Sequence, residues 1–370
     1  MVTPTAGPCK SRRTDTMRIT KNKNKGIKRH LMMATAAGLA LALAGCGNTA
    51  SNNGKALKSV SMMTDVAFLP KHAPFFSAVE QGFFREEGID LKILPGSGSN
   101  NTVVAVDTGK VDFGWADFGV TVLNQGKGVH VKQIALVQAS DAYAAVTVAR
   151  SGIKSWADLK GKTVATEGAG AMTAMWPLAL KKLGFKDTDV KLVPAAGEAK
   201  IPGLLAGQWD ANLSLFVSDA PVLVGLGQEP TVLKWADLGI HLYGSGILAN
   251  DQKLEKDPEL AKSFTRAITK GFLWACDHKD QAAKDMMKSV TGFKEEALKN
   301  ALEGQCSLNW SAENETQGYG TMSDAGVSNS IQIAKSYLGL NNDALTPADV
   351  YTNKFVEPIK KGTKIVSPSE

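Results

Sequence analysis

The residues that could do chemistry in this chain are spread thin, and their spacing argues against covalent catalysis. Of five histidines, His72, His130, His241 and His278 follow residue 45, scattered, with no His-Glu-x-x-His or other tight metal spacing. No Gly-x-Ser-x-Gly elbow presents a serine nucleophile. No Gly-x4-Gly-Lys-Ser/Thr loop cradles a phosphate. Gly168-Ala169-Gly170 follows a strand pattern and opens a helix, which invites a dinucleotide reading. Thr173 stands where the third glycine belongs, however, and Asp187 and Asp189 precede the next strand instead of ending it. The sequence therefore predicts no metal, no cofactor and no enzyme. What remains is non-covalent recognition by side chains and backbone at turns.

Those turns are fixed by an alternation of strands and helices. Leu57–Met63, Ile89–Ile93, Val111–Trp115 and Val131–Val137 read as strands. Ala73–Glu87 and Ser99–Thr108 read as the helices between them, the first with Phe75, Phe76, Val79, Phe83 and Phe84 on one face. The rhythm restarts with strands at Val146–Ala149, Thr163–Thr166, Val190–Val193 and Ala211–Phe216, and helices at Ala171–Leu183 and Ile201–Ala206. Helical stretches follow at Pro258–Lys279, Gln281–Val290, Lys294–Glu303 and Gln317–Leu338. Two similar α/β halves and a helical tail are predicted, each half a mostly parallel sheet.

Open α/β sheets bind ligands at the carboxyl ends of their strands, where helix N-termini leave amides free. That rule selects His72 and Phe75 after the first strand, then Ser99 and Asn100, then Asp117 and Phe118. From the second half it selects Glu167, Gly168, Ala169, Gly170 and Ala171, with Glu198, and with Phe216, Ser218 and Asp219. The turn from Glu167 to Gly170 is the strongest of these. Its glycines let backbone approach a ligand, and a helix begins directly after. The tryptophans, Met172 and Met175 read as packing.

The front of the chain reads as an address. Residues 1–45 carry nine Lys and Arg against one acid, so a formal charge of +6 leaves the remainder at −2, and a basic-patch argument for nucleic acid disappears. A basic run at Lys21–His30 precedes an apolar run at Leu31–Ala44, too short to span a bilayer. It ends in Leu43-Ala44-Gly45-Cys46, the pattern of a lipoprotein signal in which Cys46 takes the lipid. Residues 46–56 then read as a flexible tether. Of the other cysteines, Cys276 and Cys306 are left either to pair or to stay as buried thiols.

Five stretches in order resemble one family. They are Gln81-Gly82-Phe83-Phe84 with Glu87-Gly88-Ile89-Asp90, then Gly109–Gly114, Ile153–Ala165, Leu204–Ala211 and Thr352–Phe355. The chain resembles the periplasmic solute-binding proteins of ABC importers, in the branch for sulfonates, taurine, nitrate and thiamine pyrimidine precursors. The resemblance implies the two-lobed type II binding-protein fold with two crossover segments, placed near Tyr143–Ala149 and Tyr243–Ala249. Lobe I would be 57–146 plus 247–370, and lobe II 147–246. It also implies a small-molecule solute, a membrane permease as partner, a monomer, and a lipid-anchored position on the periplasmic side. Asp117, Glu167, Glu198 and Asp219 would repel an oxyanion, so the expected solute is neutral or cationic, nitrogen-bearing and planar, such as an aminopyrimidine. The alternatives are a sulfonate, taurine or nitrate binder, and a sensory lipoprotein using the same cleft.

Overall fold

The computed structural model describes residues 56–369. The expected signal over 1–45, lipidation of Cys46 and nearly all of the tether at 46–56 lie outside the described residues.

Ten strands run along the chain: β1 (Lys58–Met63), β2 (Ile89–Leu94), β3 (Phe113–Asp117), β4 (Val131–Leu136), β5 (Tyr143–Val148), β6 (Thr163–Thr166), β7 (Lys191–Pro194), β8 (Ala211–Leu215), β9 (Pro230–Lys234) and β10 (Ser245–Asn250). They form two five-stranded sheets with the orders β2-β1-β3-β10-β4 and β7-β6-β8-β5-β9. The two orders are the same pattern used twice. In each sheet a single strand runs against its neighbours, β10 in the first and β5 in the second. Each reversed strand is the first one laid down after the chain crosses between lobes. The sheets are thus mostly parallel, as expected, with the reversals at the crossings.

That topology moves the crossovers. Tyr143–Val148 and Ser245–Asn250 are both full sheet strands, so the chain crosses at 137–142 and again between β9 and β10. The expected positions, Tyr143–Ala149 and Tyr243–Ala249, are a few residues late. Runs of small and β-branched residues read equally well as linker or as buried strand, and pairing decides between them. The crossings are zipped together: the Val137 and Gln138 amides donate to the Ser245 carbonyl, and Gly244 donates to that of Gln138.

The helices that matter to the site are α1 (Ala73–Glu80), α2 (Phe83–Glu86), α3 (Ser99–Asp107), α4 (Phe118–Gln125), α5 (Ala171–Leu183), α6 (Gly197–Leu205) and α7 (Phe216–Gly225). The expected helix over 73–87 breaks at Gly82, whose φ of 83° is left-handed. In the tail, α8 (Asp251–Lys256), α9 (Pro258–Asp277), α10 (Lys279–Ser289), α11 (Glu295–Ser307), α12 (Ala312–Gln317), α13 (Asp324–Tyr337) and α14 (Pro347–Val350) follow. The expected helix over 317–338 therefore begins only at Asp324, after a non-helical stretch at 318–323 that follows α12. Gly318 and Gly320 lie in this gap with φ of 100° and 96°.

The tail belongs to neither lobe alone. Helix α9 packs its aromatic face under the first sheet, where Phe264 stacks on Phe113 with ring centres 3.9 Å apart. Helix α13 packs on α4 of lobe I and α5 of lobe II. Helix α11 packs on α7 of lobe II, close enough that a Cβ on Gly304 would meet Val217 at 3.0 Å. A Cys276–Cys306 disulfide ties α11 to α9. Of the stretch 247–370, expected in lobe I, strand β10 lies in the first sheet, while α11 and α13 also pack on lobe II.

Candidate functional site

The strand ends face one another across a cleft. From lobe I, the turn after β1 supplies Asp65, Val66, Leu69 and Lys71. The ends of β3 and β10 add Asp117 and Ser245, and α3 adds Ser99. From lobe II come Glu167, Gly170, Ala171 and Met172 after β6, Lys200 from α6, and Ser214, Leu215 and Ser218 after β8. They enclose an inner chamber with about 30 Å³ of room for a water-sized group. Val66 and Glu167 also line a wider neighbouring space of about 550 Å³, which we call the mouth. That volume lies within the ordinary range for a small-molecule site. The mouth is walled by small residues, among them Ala67, Gly96, Gly168 and Ala196, with Glu167 and Glu198 as its only charged groups.

Two ion pairs organise the chamber. Lys71, 1% exposed, reaches Asp65 at 2.5 Å. His72 Nε2 lies 2.9 Å from the other Asp65 oxygen, while its Nδ1 accepts from the Leu69 amide, so the proton on Nε2 is donated to Asp65. Burial pushes His72 down to about 4 against the pull of Asp65, and the ring is neutral. Burial alone would raise Asp65, but Lys71 and His72 outweigh it and hold the carboxylate well below its usual range. Across the chamber Lys200, 2% exposed, lies 2.9 Å from Glu167 and 3.8 Å from Asp219, and donates to the Leu213 carbonyl. Its burial penalty is outweighed by Asp219 and Glu167, which raise its pKa. Asp219 is itself fixed by the Asn212 side chain at 2.8 Å.

Asp117 is the third chamber carboxyl and differs from the other two. It caps α4, accepting from the Val120 amide at 3.0 Å, and receives the Tyr143 hydroxyl of lobe II on its other oxygen. Burial pushes it up to about 7 against those two hydrogen bonds, with Asp141 and Asp65 adding to the rise. Asp141, in the first crossing, is pushed up to about 6 by burial although it accepts from the Leu242 and Tyr143 amides.

The lobes touch beside the chamber. The Asn100 amide donates to the Ala169 carbonyl at 3.2 Å, and Gly98 lies against the same residue.

Of the residues expected from sequence, Ser99, Asp117, Glu167, Gly170, Ala171 and Ser218 line the chamber, and Gly168 and Glu198 the mouth. Asn100 and Ala169 form the lobe–lobe contact. Five stand elsewhere. His72 lies behind Asp65 as its positioning partner. Asp219 lies behind Lys200 in the same way. Phe75 is fully buried against Trp115 and Phe272, and Phe118 against Tyr243. Phe216 packs on Lys234. Phe75 and Phe118, in the first turns of their helices, turn inward because burial gains more than a polar rim does, while Phe216 stays half-buried. Reading the turns missed Asp65, Lys71, Lys200 and Ser245. Asp65 had a signal, since it stands two residues past the end of a strand. Lys200 had none, because a lysine on a helix reads as solvated.

Residues 69–282 match the protein family described as NMT1/THI5 like. The chain belongs to this family. Its relatives include a formylaminopyrimidine-binding protein of Halalkalibacterium halodurans, 24% identical over 71% of this chain and 82% of that protein. They also include a 4-amino-5-hydroxymethyl-2-methylpyrimidine phosphate synthase of Schizosaccharomyces pombe, 23% identical over 56% of this chain and 63% of that one. Among solved structures, the alkanesulfonate-binding protein SsuA of Xanthomonas axonopodis, bound to MOPS, superimposes with a TM-score of 0.63 at 15% identity. It covers 80% of this chain and 98% of that one. The fold is the two-lobed one of the periplasmic binding proteins.

Proposed function

We propose that this family member is the solute-capturing component of an ABC importer, exported and held at the membrane by lipid on Cys46, and that it acts as a binding protein and not as a synthase. One observation carries the reading: a small buried chamber built jointly by the strand ends of two lobes that cross over twice. A solute gripped from both sides favours the closed state by its differential affinity for it. Micromolar capture corresponds to about −8 kcal/mol. The closed form then docks on a permease.

The solute is neutral or cationic and nitrogen-bearing. The mouth carries two carboxylates and no basic side chain, and no arginine lines either space. Both chamber lysines are already committed to carboxylates. An oxyanion would have to displace one of them and meet Asp117 as well. Among the described residues no aromatic ring lines the chamber or the mouth, so a flat solute such as an aminopyrimidine would be held by its edge, through hydrogen bonds, between aliphatic walls.

A thermal-shift panel tests this. Stabilisation by 4-amino-5-hydroxymethyl-2-methylpyrimidine or by amines, with none by taurine or nitrate, is expected. Stabilisation by taurine or nitrate alone overturns the charge reading.

A further inference from the structure

The geometry points to Asp117 as the residue that recognises a protonated nitrogen on the solute, exchanging its own proton as the solute enters. The inference rests on the proposed cleft function and names the charge and the proton stoichiometry of the head group.

Of the three carboxyls lining the chamber, two already have their cation: Asp65 holds Lys71, and Glu167 holds Lys200. Asp117 has none within 4 Å among the described residues; its partners are the neutral Tyr143 hydroxyl and the Val120 amide. A carboxylate has about four lone-pair positions, so two remain open. Ser245 of lobe I, paired with Asp117 in the sheet, and Ser218 of lobe II line the same chamber at 2% and 3% exposure. Among the described residues neither hydroxyl has a hydrogen-bond partner. An ammonium head matches this set: it is about the size of a water, which the chamber admits, and its three N–H groups would meet one carboxylate and two hydroxyls, one from each lobe.

The ionisable groups facing Asp117 are few. Tyr143 comes from β5 and Asp141 from the first crossing. Asp65 and Lys71 come from the turn after β1, and Glu167 and Lys200 from across the chamber. The nearest parts of α3, α5 and β10 present Ser99, Ala171, Met172 and Ser245, none ionisable at neutral pH. Each lysine offsets one carboxylate, Asp219 stands behind Lys200 as a second, and Asp141 and Asp65 still add like charge at Asp117. Empty, the Asp117 carboxyl is therefore protonated part of the time at neutral pH. When a charged amine enters, the neutral carboxylic acid of Asp117 loses its proton to solvent, and the resulting carboxylate pairs with the ammonium, which keeps all of its own protons. With a neutral amine, the same carboxylate–ammonium pair forms by direct transfer of the Asp117 proton to the amine nitrogen, and no proton is released.

Calorimetric titration with benzylammonium, which stays charged between pH 5.5 and 8.5, reads this out in two buffers of different ionisation enthalpy. About half a proton should be released per site at pH 7, rising toward one at pH 6 and vanishing above pH 8. The dissociation constant should tighten roughly tenfold between pH 5.5 and 6.5 and level off by pH 8. Asp117→Asn keeps the cap on α4, because asparagine also accepts there, and should lose both the slope and the proton release. Tyr143→Phe removes a hydrogen bond to the charged form, so the midpoint should move up; a merely structural tyrosine would weaken binding without moving it. In the empty protein, the infrared band of a protonated carboxyl at pH 6 should be absent from Asp117→Asn, and finding no such difference overturns the inference whatever binds. An amine that binds with no pH slope, or with a slope that survives Asp117→Asn, overturns it while leaving the cleft reading intact. Capture of taurine in place of every amine overturns the reading it rests on.

Discussion

Gly98 and Ala169 meet across the cleft so closely that a Cβ on Gly98 would lie 2.5 Å from the Ala169 carbonyl. The φ of Gly98 is 120°, a conformation that side chains rarely adopt. The first is a contact between the lobes, and the second is local to the turn. Gly98→Ala should therefore oppose closure by about 1–3 kcal/mol. Solute affinity should fall about 5- to 150-fold, and small-angle scattering should show a larger radius of gyration. An unchanged radius and affinity would show that this contact is not part of the bound state.

Lys200 is held at 2% exposure between Glu167 and Asp219. Removing the ammonium leaves buried negative charge without a partner, which costs about 3–5 kcal/mol. Lys200→Met should lose that much in urea unfolding, whereas exchanging an exposed pair such as Lys299 with Asp280 should change little.

Burial of Asp117 makes stability depend on pH with a definite sign. Its folded pKa, about 7, lies above the ordinary carboxylate value, so the folded state binds the extra proton between roughly pH 4 and 7. The contribution of Asp117 is full at the acid end and is lost as pH rises through 7. His72 works the other way: pushed down to about 4, it contributes above pH 6.5 and loses its contribution as pH falls toward 4. The two overlap, so the wild type alone does not separate them. The difference between wild type and Asp117→Asn does: it should shift in favour of wild type by at most about 1.4 kcal/mol per pH unit as pH drops from 7 to 4. A pH-independent difference would mean that Asp117 stays charged.

The Cys276–Cys306 bridge closes a loop of sequence separation 30 between α9 and α11. Its loss should cost about 3 kcal/mol, mainly by freeing the unfolded chain. Because α11 also packs on α7 of lobe II, reduction should loosen the lobes as well. Intact-mass analysis with and without reductant, paired with thermal unfolding, checks both.

Much of this fold was legible from periodicity and turn residues. The first four strands, the helices at Ala171 and Pro258 and the repeated half all follow from apolar spacing. Of the reversed strands, β5 was read only in its second half, as Val146–Ala149, and β10 was read as a crossing, because Tyr143–Val148 and Ser245–Asn250 are buried runs without alternation, and their direction is a property of the sheet. In the site, Glu167 and Gly170 were readable from a strand followed by glycines. Lys200 was not: its place between Asp219 and Glu167 depends on how α6 lies against β8. Phe75 was misplaced because a helix-opening aromatic reads the same whether it faces ligand or core.

The central claim is that the two lobes close on a small nitrogen-bearing solute at Asp117, Glu167 and Ser218. Native mass spectrometry of protein purified from its own host tests it most directly. The account predicts one small molecule per chain, neutral or cationic and containing nitrogen, that is lost when Ser218→Trp fills the chamber. A sulfonate or nitrate adduct, or an adduct that Ser218→Trp leaves in place, would contradict it.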